Sequence, residues 1–99
     1  AVPKKARLQA YVIPVGDSTR SKAYEITALL RKGGLSADMD LMRRNVGKNF
    51  KYADAVGAEK VIIVGEKELE SGSVNVRDMM TGEQVLVGLE ELVGYLSRN

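Results

Sequence analysis

The hydrophobic positions alternate between two spacings, and these spacings predict strands and helices in turn. Residues 8–15 form an apolar run rich in β-branched and aromatic side chains, which is typical of a buried strand. Asp17 or Ser18 is then the expected cap of a helix. Along that helix the apolar residues recur three and four positions apart, and Gly33 follows them.

The rest of the chain repeats this alternation. The run from residue 61 to residue 64 is purely aliphatic, which predicts a strand buried on both faces. Residues 66–72 are mostly polar and are interpreted as a loop. The further predicted strands are residues 35–41 (an edge strand), 60–65, 73–78 and 84–87, and the further predicted helices are residues 46–56 and 89–96.

The resulting order, β-α-β-α-β-β-β-α, restricts the topology. Right-handed crossovers make the first three strands parallel, and the two short connections make the fourth antiparallel and the fifth parallel again. We therefore expect an α/β fold with a mixed five-stranded sheet and helices on its faces. At 99 residues and 10.8 kDa, one domain accounts for the chain.

Composition disfavours several enzyme classes. The sequence contains no Cys and no His, so the chain offers no thiolate zinc site, no cysteine nucleophile and no Ser-His-Asp triad. The longest aliphatic run, at residues 61–64, is far shorter than the roughly 20 residues of a membrane span. A binding module is the better expectation.

Charge is distributed unevenly. Residues 1–60 hold 12 Lys and Arg against 6 Asp and Glu, whereas residues 61–99 hold 3 against 7. Such asymmetry is typical of a surface for a polyanion, although solvated helix faces would also account for it. RNA readers combine cations, a stacking plane and paired donors and acceptors for base edges. The residues that supply these groups are Arg43, Arg44, Lys48, Lys51, Tyr52, Glu68, Asn75 and Arg77.

Structural roles would also explain some of these residues. Arg77 could pair with Glu68 or Asp78, and Tyr52 could simply cover an apolar edge. Two other ligand classes are less well supported. The turn at residues 15–21 lacks the glycines of a dinucleotide fingerprint and the phosphate loop. The carboxylate pairs at residues 38/40 and 68/70 lack a third convergent ligand for Mg²⁺.

Three segments resemble one known family. Residues 47–54 (GKNFKYAD), 57–66 (GAEKVIIVGE) and 74–84 (VNVRDMMTGEQ) are similar to the C-terminal anticodon-binding domain of histidyl-tRNA synthetases. The threonyl, prolyl and glycyl enzymes share this domain. The resemblance implies a three-layer sandwich with sheet order 2-1-3-4-5, an antiparallel fourth strand and three helices.

The resemblance also assigns expected roles. The positions that match the RNA-binding residues of related synthetases are Arg43, Lys51, Glu68 and Arg77. Glu68 and Arg77 are expected to read base edges, and Lys48 and Lys51 to hold phosphates. Tyr52 is a candidate to stack on a base.

The implied organisation is a linker at residues 1–7, leading from a catalytic domain outside this chain, and an anticodon-binding domain at residues 8–99. The implied partner is the anticodon loop of tRNA(His), with the triplet GUG. No membrane partner is expected. The implied parent is a cytoplasmic, homodimeric histidine–tRNA ligase that uses ATP and Mg²⁺ in its catalytic domain. No cofactor is expected in residues 8–99. The alternatives are the non-aminoacylating regulatory paralogue of histidine biosynthesis, the same domain of a threonyl, prolyl or glycyl enzyme, a small-molecule domain and a protein-interaction domain.

Overall fold

Strands and helices alternate through residues 8–42 and 45–97, the part of the chain that the structure, a computed structural model, describes. The strands are β1 (Ala10–Pro14), β2 (Ala37–Met39), β3 (Lys60–Val64), β4 (Ser73–Asp78) and β5 (Gln84–Gly88). The helices are α1 (Arg20–Lys32), α2 (Val46–Ala55), α3 (Glu66–Glu70) and α4 (Leu92–Ser97), with 3₁₀ turns at Asp17–Thr19 and Leu89–Glu91.

The strands form one mixed sheet in the order β2-β1-β3-β4-β5. β1 pairs in parallel with both β2 and β3, whereas β4 is antiparallel to its neighbours β3 and β5. The predicted sheet order and strand directions are therefore confirmed.

One face of the sheet carries the larger apolar core. Val12, Ile62, Val74 and Val76 point to this face, where they pack with buried side chains of α1 and α4. The apolar side chains of α1 are Ala23, Ile26 and Leu30, which follow the predicted three-and-four spacing. These two helices fix the orientation of β4, since its Val74 and Val76 are held on the covered face.

The opposite face is covered by α2. Tyr11, Ile13 and Val61 pack there against Ala53 of α2 and the following Ala58. Helices thus lie on both faces, and the predicted three-layer arrangement is confirmed.

On this opposite face, β4 and β5 present a row of partly or largely exposed side chains. Alternation and register place Asn75 beside Leu86, and Arg77 beside Gln84. We call these four residues the β4–β5 strip. Within the described residues, the apolar cluster under α2 includes no side chain of β5.

Three local predictions need correction. Residues 66–70 form the short helix α3 rather than a loop; five mostly charged residues are too few to show a helical spacing of apolar positions. β2 covers only residues 37–39 instead of 35–41. The last α-helix begins at Leu92, after the 3₁₀ turn.

The start of α1 also differs from the expected cap. Asp17 and Ser18 lie inside the 3₁₀ turn, and Thr19 occupies the N-cap position of α1. The Thr19 hydroxyl donates to the Gly16 carbonyl at 2.9 Å. The Ser18 hydroxyl instead donates to the Glu66 carboxylate, and this bond connects α3 to the start of α1.

Candidate nucleic-acid interface

Helix α2 carries the cationic part of the candidate interface. Its first turn is closed by Asn45, whose side-chain oxygen accepts from the Lys48 backbone N–H at 2.8 Å. Lys48 and Lys51 are three residues apart, and both are exposed on the outer surface of the helix. Their ammonium groups therefore face solvent, where a polyanion could contact them.

A buried polar network fixes α2 to the sheet. The Asn49 amide is fully buried and donates to the Asp40 carboxylate at 3.0 Å, while the Tyr11 hydroxyl donates to the Asn49 oxygen at 3.1 Å. The other Asp40 carboxylate oxygen accepts from the Met42 backbone N–H at 3.0 Å. The network joins β1, the end of β2 and α2, so it sets how α2 and the segment leaving β2 are positioned.

Sequence reasoning missed this network. The helical spacing of α2 suggests Val46, Phe50 and Ala53 as its inward residues, yet Val46 is 37% exposed and Asn49 is fully buried. An amide inside an apolar spacing pattern gives little signal, because its partners Tyr11 and Asp40 are 38 and 9 residues away in sequence.

Phe50 and Tyr52 lie on opposite flanks of α2. The Phe50 ring lies under the Arg77 guanidinium of β4, with 5.2 Å from the Arg77 Cζ to the ring centroid. The Tyr52 ring packs against Tyr11 of β1, with centroids 5.4 Å apart and planes tilted by 47°. The structure therefore separates Tyr52 from Arg77, although both are among the RNA-binding residues expected from the sequence.

Arg77 is not neutralised by an acid in the described part of the chain. Asp78 pairs instead with Lys60, at 3.6 Å, and within residues 8–42 and 45–97 no carboxylate lies within 4 Å of the Arg77 guanidinium. The pairing of Arg77 with Glu68 or Asp78 that the sequence allows is thus absent from these residues. Arg77 is partly exposed, so its donors are accessible to a ligand.

Asp78 has a separate, structural role. Its carboxylate accepts from the backbone N–H groups of Met80 and Thr81, at 2.8 and 3.2 Å. These bonds, followed by the Lys60 charge, hold the pKa of Asp78 below its usual value of 3.8. Asp78 therefore stabilises the turn after β4. This turn begins directly after Arg77.

Glu68 lies at the edge where the parallel strands end. It is partly buried in α3, and its carboxylate occupies the space next to Gly65. Asn75 pairs with Ile63 near the same edge, whereas Arg77 pairs with Val61. Since a strand rises about 3.3 Å per residue, Glu68 and Arg77 belong to backbone positions roughly 10 Å or more apart.

The described site residues therefore do not converge on one point but are distributed around α2 and along β4. Arg43 and Arg44 lie outside the described residues. Lys48 and Lys51 occupy the outer surface of α2, Tyr52 its β2-side flank, and Asn75 and Arg77 the strip on its other flank. Glu68 lies at the edge of that strip.

Among the described residues, no group of three or more Asp or Glu side chains converges as a metal site would require. Nor does any helix in this part of the chain have the length and apolar character needed to cross a bilayer.

Comparison with known proteins identifies relatives for almost the whole chain. The anticodon binding domain family matches residues 9–99. The histidine–tRNA ligase of Pyrococcus furiosus is 44% identical over 86 residues, which cover 87% of this chain and 20% of that relative. The histidine–tRNA ligase of Lysinibacillus sphaericus is 41% identical over 91 residues, 92% of this chain and 22% of that relative.

Solved structures show the same fold. Histidyl-tRNA synthetase of S. aureus, in its apo form, superposes with a TM-score of 0.88 at 31% identity, over 97% of this chain and 25% of that chain. The RNA binding domain of threonyl-tRNA synthetase from Cryptosporidium parvum has a TM-score of 0.85 at 22% identity, over 92% of this chain and 23% of that chain; this likeness concerns the fold alone. The chain thus spans about a fifth to a quarter of these relatives.

Proposed function

The chain belongs to the anticodon-binding-domain family, and we propose that it is the part of a histidine–tRNA ligase that binds the anticodon loop of tRNA(His). The relatives described above are named histidine–tRNA ligases, which favours this parent over the regulatory paralogue. The threonyl relative supports only the shared fold, so it does not favour a threonyl, prolyl or glycyl parent.

The observation that carries the proposal is the Arg77 guanidinium. It is held over the Phe50 ring, partly exposed, and without an acid partner in the described residues. A guanidinium fixed in this way presents paired N–H donors in one plane, which suits the ring nitrogen and carbonyl acceptors of a base. The two exposed lysines of α2, Lys48 and Lys51, supply further cations on the outer surface of that helix.

The remaining residues divide between bases and backbone. Asn75 offers both a donor and an acceptor on the same strip as Arg77, and the Glu68 carboxylate accepts from an exocyclic amine. Lys48 and Lys51 bind phosphates, as do Arg43 and Arg44, and Tyr52 stacks on a base. The triplet read in this way is GUG.

The parent enzyme that we propose attaches histidine to tRNA(His) with ATP and Mg²⁺, which its separate catalytic domain binds. Residues 1–7 link the two domains, and the parent is a cytoplasmic homodimer. The present chain supplies the recognition of the anticodon and no step of the chemistry.

Titration of fluorescently labelled anticodon stem-loops into the 99-residue chain tests the proposal. We compare the GUG loop with loops changed at each anticodon position, at two salt concentrations. Arg77→Ala and Glu68→Ala should each reduce the preference for GUG by about 1–3 kcal/mol, because they remove contacts with base edges. Lys51→Ala should weaken all loops equally and reduce the salt slope by about 1, because it removes one phosphate contact.

Lys32→Ala is the matched control, since Lys32 is an exposed lysine at the end of α1, a helix of the other layer. It should leave affinity and preference unchanged. If Arg77→Ala and Glu68→Ala weaken every loop by the same factor, these residues do not read bases.

A further inference from the structure

A cleft lies on the flank of α2 opposite to Arg77. Its volume is about 170 Å³, and it is lined by Tyr11, Asp38, Met39, Leu41, Met42 and Tyr52. Pockets that bind drug-sized ligands usually measure about 300 Å³ or more. The cleft is therefore too small for a whole nucleotide but suits a single planar ring.

The walls of the cleft are aromatic and thioether groups. Tyr52 remains 40% exposed although it packs on Tyr11, and Met42 is 70% exposed. Tyr11, which is almost fully buried, forms the floor, whereas the Met39 side chain packs into the larger core on the other face of the sheet. A base that enters the cleft would stack on the Tyr52 ring and cover the Met42 side chain, which removes apolar surface from water.

A carboxylate lies at the rim of the cleft. Asp38 is more than half exposed, and one of its oxygens, Oδ1, accepts from the Met39 N–H at 2.9 Å and lies 3.6 Å from Arg31. Within the described residues, Oδ2 has no partner. This carboxylate oxygen can accept a hydrogen bond from the exocyclic amine of adenine, cytosine or guanine. Uracil has no exocyclic amine and offers only carbonyl acceptors and one ring N–H.

A cation lies beside the cleft. Lys48 precedes Tyr52 by four residues on α2, so the two side chains are neighbours on one helix face, with Cβ atoms about 5–6 Å apart. The Lys48 ammonium can therefore bind the phosphate of a nucleotide whose base stacks on Tyr52. This cation and the aromatic cleft together point to a nucleic acid rather than an apolar partner.

We propose that this cleft is a separate base subsite, which binds one unstacked, amine-bearing nucleobase of the same RNA loop. The inference rests on the proposed function, because it takes the RNA loop as the ligand of α2. It adds a second contact region, on the opposite flank of α2 from Arg77, so that the loop is held from both sides of the helix.

The four methionines test the proposal directly when their methyl groups are labelled with ¹³C. The Met42 side chain lines the cleft, whereas the Met39 side chain is buried in the larger core on the other face of the sheet and serves as the internal control. Addition of the GUG stem-loop should shift the Met42 resonance upfield and leave that of Met39 unchanged. Met42→Leu assigns the resonance.

Two substitutions test the chemistry of the subsite. Tyr52→Ala should weaken binding of the stem-loop by about tenfold or more, whereas Tyr52→Phe should retain the affinity, because stacking needs the ring. Asp38→Asn should reduce the preference for a loop with an amine-bearing base over the same loop with uracil at that position. Asp54→Asn, which also removes an exposed negative charge, in the last turn of α2, should leave this preference unchanged.

The outcomes separate the subsite from the proposed function. If the stem-loop binds, as anisotropy shows, but leaves Met42 unshifted, the cleft is not a base subsite and the anticodon proposal stands. If no stem-loop binds at all, both proposals are overturned.

Discussion

Arg77 owes its geometry to a partly buried aromatic side chain, Phe50. The Phe50 ring supports the guanidinium from below, so the paired N–H donors keep one orientation rather than sampling many. An arginine held in a plane discriminates between base edges because it loses little further freedom on binding. The specificity for the bases therefore depends on Phe50 as well as on Arg77.

Phe50→Leu tests this dependence. The charge of Arg77 remains but its support is lost, and a cation–π contact contributes about 0.5–1 kcal/mol at exposed sites. The preference for GUG over other triplets should fall about two- to fivefold, while the salt slope of binding stays unchanged. A changed salt slope with an intact preference would contradict this role for Phe50.

Asn49 is the residue on which the position of α2 depends most. Asn49→Ala removes the hydrogen bonds that Asn49 makes with the buried Asp40 carboxylate and with the Tyr11 hydroxyl. A neutral hydrogen bond contributes about 0.5–1.5 kcal/mol, and one to a charged group about 1.5–3 kcal/mol. We expect a loss of about 2–4 kcal/mol in the free energy of unfolding, measured by urea denaturation.

The control for this variant is Asn45→Ala on the same helix. Asn45 is an exposed cap, and its loss should cost about 1 kcal/mol. Equal losses for the two variants would show that the buried network adds nothing to stability beyond an ordinary cap.

The helices and strands that sequence spacing predicted best are those whose apolar residues face one large core. α1 and β3 have clear patterns because their buried positions, such as Ile26, Leu30 and Ile62, all pack into the same cluster. α3 was missed since its five residues bury little and are ordered by the Ser18–Glu66 bond, a contact across 48 residues. A helix or strand that is held by hydrogen bonds between residues far apart in sequence shows no periodic spacing of apolar residues from which it could be predicted.

The β4–β5 turn depends on the Asp78 carboxylate. Because the backbone bonds from Met80 and Thr81 lower the pKa of Asp78, the ionised form stabilises the folded state. This stabilisation is present above the unfolded pKa, near 4, and is lost as the pH falls through the lower folded pKa.

Asp78→Asn should therefore lower the Tm at pH 7, and the Tm difference from the unsubstituted chain should decrease as the pH falls below about 4. Thermal unfolding followed by circular dichroism between pH 2 and pH 7 measures this. A Tm difference that stays constant over the whole range would show that the ionised carboxylate does not stabilise the turn.

Over the whole molecule, the sequence predicted the sheet, but not how the candidate site residues are arranged on it. The sheet order follows from connection lengths and handedness, which are visible in the chain. The sequence does not show that α2 divides the surface, because the flank on which Tyr52 or Phe50 lies depends on how Asn49 binds the helix to the sheet. The result is a surface on both flanks of one cationic helix rather than a single patch.

The measurement that tests the central claim most directly compares two stem-loops that differ only in the order of the same three bases, GUG and UGG. Charge and composition are then equal, so a difference in affinity can arise only from the reading of the bases. We predict that the chain binds the GUG loop about tenfold more tightly or better at both low and moderate salt, as one or more base contacts of about 1–3 kcal/mol require. Equal affinities for the two loops at both salt concentrations would contradict the account.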